Sequence, residues 1–271
     1  MRRLVNQHPD RLSQLVLGLL PFLLLLAVYL LASAERLAAN PNDKLLPSLG
    51  VMAESMQRMA FEPSPRSGER LLWTDTQASL ARLAWGLGVS ALLGLTLGIG
   101  TGLIPLLRAG LSPLVAGISL IPPMAILPIL FIVFGLGEVS KVALIVIGIA
   151  PVMVRELAGR TLELPEEQLI KAQTLGANTW SLILRVILPQ ILPRLLDALR
   201  LSLGAAWLFL IAAEAIAAGE GLGYRIFLVR RYLAMDVILP YVAWITLLAF
   251  LMDWALRQLG QRLFPWSGAG R

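Results

Sequence analysis

Long apolar stretches divide this chain of 271 residues, and they constrain its fold more than any other feature. The first, residues 12–34, carries no charge and is long enough to cross about 30 Å of hydrocarbon as a helix. Five more apolar stretches follow, at residues 80–104, 108–138, 139–156, 195–218 and 237–257. Because only 15% of the residues are charged, the chain cannot coat a soluble domain of this size. The sequence therefore predicts an all-α polytopic membrane protein with six transmembrane helices.

Composition excludes several classes of function. The chain has no cysteine, so disulfides, thiolate metal sites and cysteine nucleophiles are ruled out. Its single histidine, His8, lies in a polar N-terminal tail, and the spans hold no paired carboxylates at usable spacing. The net charge of +6 is not gathered into a Lys/Arg-rich run, which argues against nucleic acid. We predict no catalytic residue, no metal site and no enzymatic activity.

The N-terminal region, residues 1–75, combines the polar tail, the first span and a polar segment. Ala32-Ser33-Ala34 resembles a signal-peptidase site, but the apolar run is longer than the usual about 7 to 15 residues, which favours an uncleaved span. Beyond it, Leu49, Met52, Met56 and Met59 recur at helical spacing after Ser48, a candidate N-cap. This short helix could lie on the membrane surface or pack as a cap over the outer ends of the spans.

Small residues recur at every fourth position along the second span. They are Gly86, Ser90, Gly94, Gly98 and Gly102. On a helix they form a smooth ridge that lets another helix approach closely, so we predict a helix-packing role. A phosphate loop is excluded because no Gly-Lys dipeptide occurs, so the chain has no recognisable ATP-hydrolysing machinery of its own.

The remaining spans carry residues that could line a translocation path. Pro122 and Pro123 interrupt the third span, where a kink could either border a water-filled pathway or improve packing. Glu214 lies inside the fifth span, with Trp207 two turns earlier on roughly the same face. Glu214 could contact substrate, or act as a gate or packing group.

A polar interruption, residues 163–193, separates the fourth and fifth spans. Pro165 and two acids open a short helix, and Gly176 is suited to its C-terminal cap. A second short helix is expected from Asn178 or Thr179 to Val186, ended by Pro189. Such a surface element can be an inert cap or a knob that docks in another protein's groove.

This interruption resembles the loop of ABC importer permeases. Ala172, Gly176 and the run Val186-Ile187-Leu188-Pro189 match the family's spacing. Ile121-Pro122-Pro123, the segment 134–141, Ala206-Trp207, Ala213-Glu214, Gly221-Leu222-Gly223 and Asp236 are similar to the nitrate, sulfonate and taurine branch. The match covers about residues 76–262. One departure is Ile170-Lys171 where the family has Glu-Ala.

The resemblance implies a type I importer permease fold with cytoplasmic coupling helices. It divides the chain into residues 1–75, a permease core at 76–262 and a C-terminal tail at 263–271. The expected ATPase-coupling residues are Lys171, Ala172, Leu175, Gly176, Ala177, Leu188 and Pro189. Expected partners are a second permease, identical or closely related, two ATPase subunits and a periplasmic or lipid-anchored substrate-binding protein, all at a bacterial inner membrane. This chain would bind no cofactor, since ATP and Mg would be held by the ATPase.

The charge distribution bears on the topology, and the resemblance bears on the substrate. Six spans place both termini on one side, and 13 of the 23 Lys and Arg residues fall on that side, which favours the cytoplasm. The resemblance implies a small sulfonate, taurine-like or nitrate-like solute, while residues 40–47 resemble permeases linked with urea or guanidine. A channel or secondary transporter working alone is the alternative, and it predicts activity without partners.

Overall fold

The structure, a computed structural model, describes residues 10–41, 43–65 and 67–267. His8 and the end of the predicted C-terminal tail lie outside the described residues. In the described ranges the regular elements are all helices. The α-helices are α1 Arg11–Ala39, α2 Leu49–Phe61, α3 Leu71–Leu103, α4 Pro105–Ser119, α5 Pro123–Phe134, α6 Glu138–Leu162, α7 Glu166–Thr174, α8 Thr179–Leu182, α9 Leu188–Ala217, α10 Leu222–Arg230 and α11 Met235–Leu263.

The all-α membrane fold is confirmed, with one of the predicted spans built differently. Five helical stretches are each long and apolar enough to cross a membrane. The predicted third span is not one kinked helix, because α4 and α5 form a broken pair bent by 97°. Pro122 caps α5 and Pro123 is its first residue, and proline at these positions cannot continue the preceding helix. The pair supplies the sixth span if it is counted as one.

Helix α1 stands at the edge of the bundle. No residue in its most apolar window is buried, as expected of a helix surrounded by lipid. Its contacts lie near its C-terminal end, where the Tyr29 hydroxyl donates to the Pro47 carbonyl at 2.7 Å and Ser33 donates to the Leu46 carbonyl at 2.9 Å. Arg36 also pairs with Asp43. Helix α1 is therefore attached mainly through the segment that leads into α2.

Helix α2 begins where the sequence predicted, with Ser48 as its N-cap accepting from the Val51 N–H at 3.3 Å. Its inner face packs against α11 and α3. Ser55, which is 1% exposed, donates to Asp236 at the start of α11 at 2.6 Å. Of the two roles left open by the sequence, the packed cap fits this arrangement.

The segment after the polar interruption differs from the prediction. The second short helix does not stop at Pro189, and the fifth span does not begin as a separate helix at residue 195, because α8 continues through a π-helical turn at residues 183–187 into α9. Leu188 donates to the carbonyl of Ile183, five residues back. This wider turn accommodates a proline that lacks an N–H and would otherwise clash with the preceding turn. One helical path of 39 residues, Thr179–Ala217, results.

Candidate functional site: an exposed loop and a buried polar network

The polar interruption folds as a helix, a glycine turn and a second helix at one end of the bundle. Helix α7 ends in a Schellman motif: Ala177 donates to the Ala172 carbonyl at 3.0 Å and Gly176 donates to the Gln173 carbonyl at 2.9 Å. Gly176 has φ = +84°, a conformation that a side chain disfavours. Asn178 then caps α8 by accepting from the Ser181 N–H at 2.8 Å. Local capping chemistry thus fixes the angle between α7 and α8.

This loop presents apolar side chains to the exterior. Leu175 is 88% exposed and Trp180 is 71% exposed, whereas Leu169 and Ala172 on the other face pack against the core. Lys171 and Gly176 are exposed, and Ala177 is half-buried. Leu188 and Pro189, predicted as part of the same loop, are half-buried in the first turn of α9. Trp180 was not singled out from the sequence, although an aromatic residue right after an N-cap on a polar loop was a usable signal.

A polar stripe on α3 marks the opposite end of the bundle. Asp75, Ser79 and Arg82 follow one another at intervals of four and three residues, so they share one face of the helix. They are 0%, 0% and 3% exposed. Sequence reasoning missed this group because it began the second span at residue 80 and did not remark on Arg82 within it. A charged residue inside a predicted span was the available signal.

Side chains of the stripe form hydrogen bonds with backbone groups of the turn between α9 and α10. The Gly221 N–H donates to Asp75 Oδ1 at 2.9 Å, and the Leu222 N–H donates to Ser79 Oγ at 2.9 Å. Arg82 Nη1 donates to the Glu220 carbonyl at 2.9 Å. Three side chains of α3 therefore satisfy three consecutive backbone groups of a buried turn, where unpaired groups would be costly.

Glu214 lies at the centre of this network. Its carboxylate is 0% exposed and accepts from Ser79 Oγ at 2.8 Å, Arg82 Nη1 at 2.7 Å and the Gly223 N–H at 2.8 Å. A Cβ on Gly221 would lie 2.5 Å from the Glu214 carboxyl carbon, and the φ of Gly221 is +126°. The two glycines of this Gly-Leu-Gly sequence therefore lie so close to Glu214 or the neighbouring backbone of α9 that a residue with a side chain would not fit at either position.

Further ion pairs extend the network to the neighbouring helices. Arg82 also pairs with Glu138 at the start of α6, and Lys141 Nζ lies 2.7 Å from the same carboxylate. Arg225 of α10 pairs with Asp75 at 2.8 Å. Burial by itself lowers the pKa of Arg225, but the hydrogen bonds with Asp75 and the attraction of its charge, with smaller contributions from Tyr241 and Tyr224, together raise that pKa above its usual value. The network thus joins α3, α6, α9 and α10 through paired charges.

Below the network, the small-residue ridge of α3 packs against α6. A Cβ on Gly94 would lie 2.6 Å from Met153, and one on Gly102 would lie 2.5 Å from Thr161. Gly86 and Gly98 make equally close approaches to Ile145 and Leu157. In all four pairs the partner is 59 positions further along the chain, so α3 and α6 run parallel and in register. Ser90, the buried member of the ridge between Gly86 and Gly94, donates its hydroxyl to the Gly86 carbonyl of its own helix at 2.7 Å.

The four candidate pathway residues lie in different surroundings. Pro122 is exposed and Pro123 half-buried at the bend between α4 and α5. Trp207 is 4% exposed and its Nε1 has no hydrogen-bond partner among the described residues. Glu214 is enclosed by protein donors, so in this conformation its carboxylate faces no open pathway. Within the described ranges, no group of three or more His, Asp or Glu side chains could hold a metal ion.

Comparisons with known proteins give consistent results. Residues 91–265 match the family described as binding-protein-dependent transport system inner membrane component. The taurine transport system permease protein TauC of Escherichia coli K12 is 42% identical over 198 residues, which are 73% of this chain and 72% of TauC. The putative aliphatic sulfonates transport permease protein SsuC of Bacillus subtilis is 31% identical over 213 residues, 78% of this chain and 76% of that protein.

More distant similarities agree with the fold. The bicarbonate transport system permease protein CmpB of Synechococcus elongatus is 29% identical over 265 residues, 94% of this chain and 93% of that protein. A solved inward-facing structure of the MetNI methionine ABC transporter superimposes with a TM-score of 0.59 at 21% identity. It covers 73% of this chain and 99% of the matched chain. At that level of identity, the structural match speaks for the fold alone.

Proposed function

Because this chain belongs to the family of inner membrane components of binding-protein-dependent transport systems, we propose that it is the permease for import of a small sulfonate. The exposed loop around Gly176 carries the proposal, since it presents the apolar side chains of Leu175 and Trp180 on a capped turn at one end of the bundle. The chain is a transport component, and the energy for transport would come from ATP hydrolysed on another subunit.

The proposed substrate class rests on the relatives. TauC, named for taurine transport, is 42% identical, and SsuC, named for aliphatic sulfonates, is 31% identical. Bicarbonate, named for CmpB at 29% identity, is the second candidate. The partial resemblance of residues 40–47 to permeases linked with urea or guanidine is a third and weaker lead. A sulfonate such as taurine is therefore the substrate that we propose.

The substrate is tested most directly on the substrate-binding protein of the proposed importer. Calorimetry against taurine, alkanesulfonates, nitrate, bicarbonate, urea and guanidinium should give binding only to the sulfonates. Tight binding of bicarbonate or urea with no response to sulfonates would refute the sulfonate assignment.

The proposed assembly contains two permeases, two ATPase subunits and one binding protein. The ATPases would hold ATP and Mg and would contact α7, the Gly176 turn and α8. Leu175 and Trp180 would enter grooves on the ATPase surface, because a short helix with exposed apolar side chains suits such a groove. Closure of the ATPase pair would then move the loop and tilt the helices continuous with it, α6 and α9.

The orientation follows from the same assignment. The loop would lie in the cytoplasm together with both termini, and the polar network would lie at the periplasmic end. Pro122, Pro123 and Trp207 remain candidates for the translocation path. For Glu214 we favour a role in holding the periplasmic ends of α3, α9 and α10 together.

A substitution at Gly176 tests the coupling role. Valine disfavours φ = +84°, at a cost of about 1 to 3 kcal/mol, so Gly176→Val should distort the turn and abolish uptake while the permease stays in the membrane. Gly110→Val serves as a control, since nothing lies within 4 Å of a Cβ at that exposed position. Normal uptake by Gly176→Val would exclude the coupling role. Uptake by the purified chain without any ATPase would instead favour a stand-alone channel or secondary transporter.

A further inference from the structure

Two cavities lie between α1, α2 and α11, at the end of the bundle that carries the polar network. The first has a volume of about 400 Å³, within the about 300 to 1,000 Å³ typical of ligand pockets. Met52 and Met56 of α2, Pro240 and Ala243 of α11, and Tyr29 of α1 line it. The Tyr29 hydroxyl is bonded to the Pro47 carbonyl. The lining is therefore almost wholly apolar and suits a hydrocarbon chain.

The second cavity has a volume of about 530 Å³ and a very different lining. Asp43 and Lys44 approach it from the segment between α1 and α2, Tyr232 from the turn between α10 and α11, and Asp236 from the start of α11. Carboxylates, an ammonium group and a phenol hydroxyl thus border one space. Such a lining suits a ligand group that carries both charges.

The two cavities are stacked along the same helix faces. Asp236 lines the polar cavity, and Pro240 and Ala243, one and two turns further along α11, line the apolar one. On α1, Leu37 lines the polar cavity and Tyr29, two turns earlier, lines the apolar one. The polar cavity therefore lies at the helix ends and the apolar cavity lies deeper, in the same order as a lipid headgroup and its acyl chain.

The charges in the polar cavity are not all paired within the protein. Arg36 pairs with Asp43, and a hydrogen bond from the Leu45 N–H together with Arg36 holds the pKa of Asp43 below its usual value. In the described part of the chain, Lys44 takes part in no ion pair. Asp236 accepts from Ser55 and has no cationic partner among the described residues. One ammonium group and one carboxylate are left for a ligand.

We propose that the two cavities together bind one phospholipid with a primary-ammonium headgroup, of the phosphatidylethanolamine type. An acyl chain would occupy the apolar cavity, the phosphate would meet Lys44 and the ammonium would meet Asp236. A small zwitterionic solute would use the polar cavity alone, whereas a phospholipid would also use the open apolar groove beneath it. A choline headgroup would fit less well, because its trimethylated nitrogen has no N–H to donate.

The lipid would fasten α1 and α2 to the rest of the bundle. Both helices precede residues 91–265, the part that matches the family, and α1 is attached mainly through Tyr29, Ser33 and Arg36. A bound lipid would fill the gap that α1 and α2 leave against α11.

The test is native mass spectrometry of the purified full-length chain with dioleoyl phosphatidylethanolamine, dioleoyl phosphatidylcholine or soluble phosphoethanolamine. We expect about tenfold tighter retention of the ethanolamine lipid than of the choline lipid. Ala243→Phe should fill the apolar cavity and lower retention about tenfold. Val242→Phe is its control, since Val242 is 46% exposed on the adjacent face of α11 and lines neither cavity. Lys44→Gln, an exposed change, should lower retention without affecting folding.

Each outcome bears on the proposal, and none depends on transport. Equal retention of both lipids, together with full retention by Lys44→Gln, would overturn it. Binding of soluble phosphoethanolamine as tight as that of the lipid would also overturn it and would mark the polar cavity as a solute site. If Ala243→Phe fails to fold, Lys44→Gln and the comparison of lipids still decide.

Discussion

The loop around Gly176 and the network around Glu214 lie at opposite ends of the same helices and use their polar groups in opposite ways. In the loop, hydrogen bonds between close neighbours in sequence set the shape, and Leu175 and Trp180 point outward. In the network, residues about 130 to 150 positions apart meet, and Glu214 has no exposed surface. The loop can therefore gain or lose a partner without unfolding, whereas the network cannot be opened without unpairing buried charges.

The two regions differ in rigidity: the helices around the network form a rigid unit, whereas the loop is free to bind a partner. The network and the ridge below it join α3, α6 and α9 into one unit, and the loop is an outgrowth of that unit at its far end. Force applied to the loop would then move the unit as a whole. Substitutions in the two regions should accordingly fail in different ways.

The largest expected effect is loss of the folded state on removal of Arg82. Arg82→Met would leave Glu214 buried without its cation, which costs about 3 to 5 kcal/mol. Unfolding of the purified chain in mixed micelles would measure the change. Arg160→Met is the matched control at the loop end, where the Arg160 side chain is 40% exposed and pairs with Glu156 and Glu163. That control should cost about 0 to 1 kcal/mol, and equal losses from both variants would contradict the contrast.

A smaller loss of stability is expected from the ridge of α3. A leucine at Gly94 would overlap Met153 and push α6 away, at a cost of about 1 to 3 kcal/mol. Gly88→Leu places the same side chain on the exposed face of α3, where nothing lies within 4 Å of a Cβ. The same unfolding measurement should separate the two variants. A Gly94→Leu variant as stable as Gly88→Leu would mean that the α3–α6 packing is wrong.

The smallest effect on stability belongs to the loop. Leu175→Asp changes a side chain that is 88% exposed, so the free energy of unfolding should shift by less than about 0.5 kcal/mol. Transport by the assembled importer should nevertheless fall strongly, because a charge would replace the apolar side chain that we propose docks on the ATPase. Normal transport by this stable variant would show that Leu175 does not contribute to docking.

The sequence predicted what depends on local patterns. The first, fourth and sixth spans, the Ser48 cap, the Gly176 turn and the start of α8 followed from periodicity and capping residues. The ridge of α3 was recognised by its four-residue spacing, although its partner helix was not. These features need only neighbouring residues, so a single sequence contains them.

What the sequence did not predict depends on long-range pairing or on how a helix accommodates proline. The polar side chains of Asp75, Ser79 and Arg82 are paired with Glu214 and with the turn at Gly221, more than 130 positions away in the sequence. The π-helical turn at residues 183–187 let α9 run past Pro189, contrary to the rule that proline stops a helix. The bend between α4 and α5 is far sharper than a simple proline kink. The three polar side chains of α3 depend on distant partners, and the two proline-containing segments depend on how the helix accommodates the proline, by a wider turn at residues 183–187 and by a break between α4 and α5.

The accessibility of residue 175 in the presence and absence of the ATPase tests the docking role of this loop most directly. The chain has no cysteine, so Leu175→Cys provides a single label site for a membrane-impermeant maleimide in inside-out vesicles. Phe61→Cys, 65% exposed at the other end of the bundle, is the control and should react only in right-side-out vesicles. We predict that position 175 reacts readily in the permease alone and about tenfold more slowly once the ATPase is bound. Equal labelling with and without the ATPase, or labelling of position 175 only from outside, would contradict the assignment of this loop as the docking element.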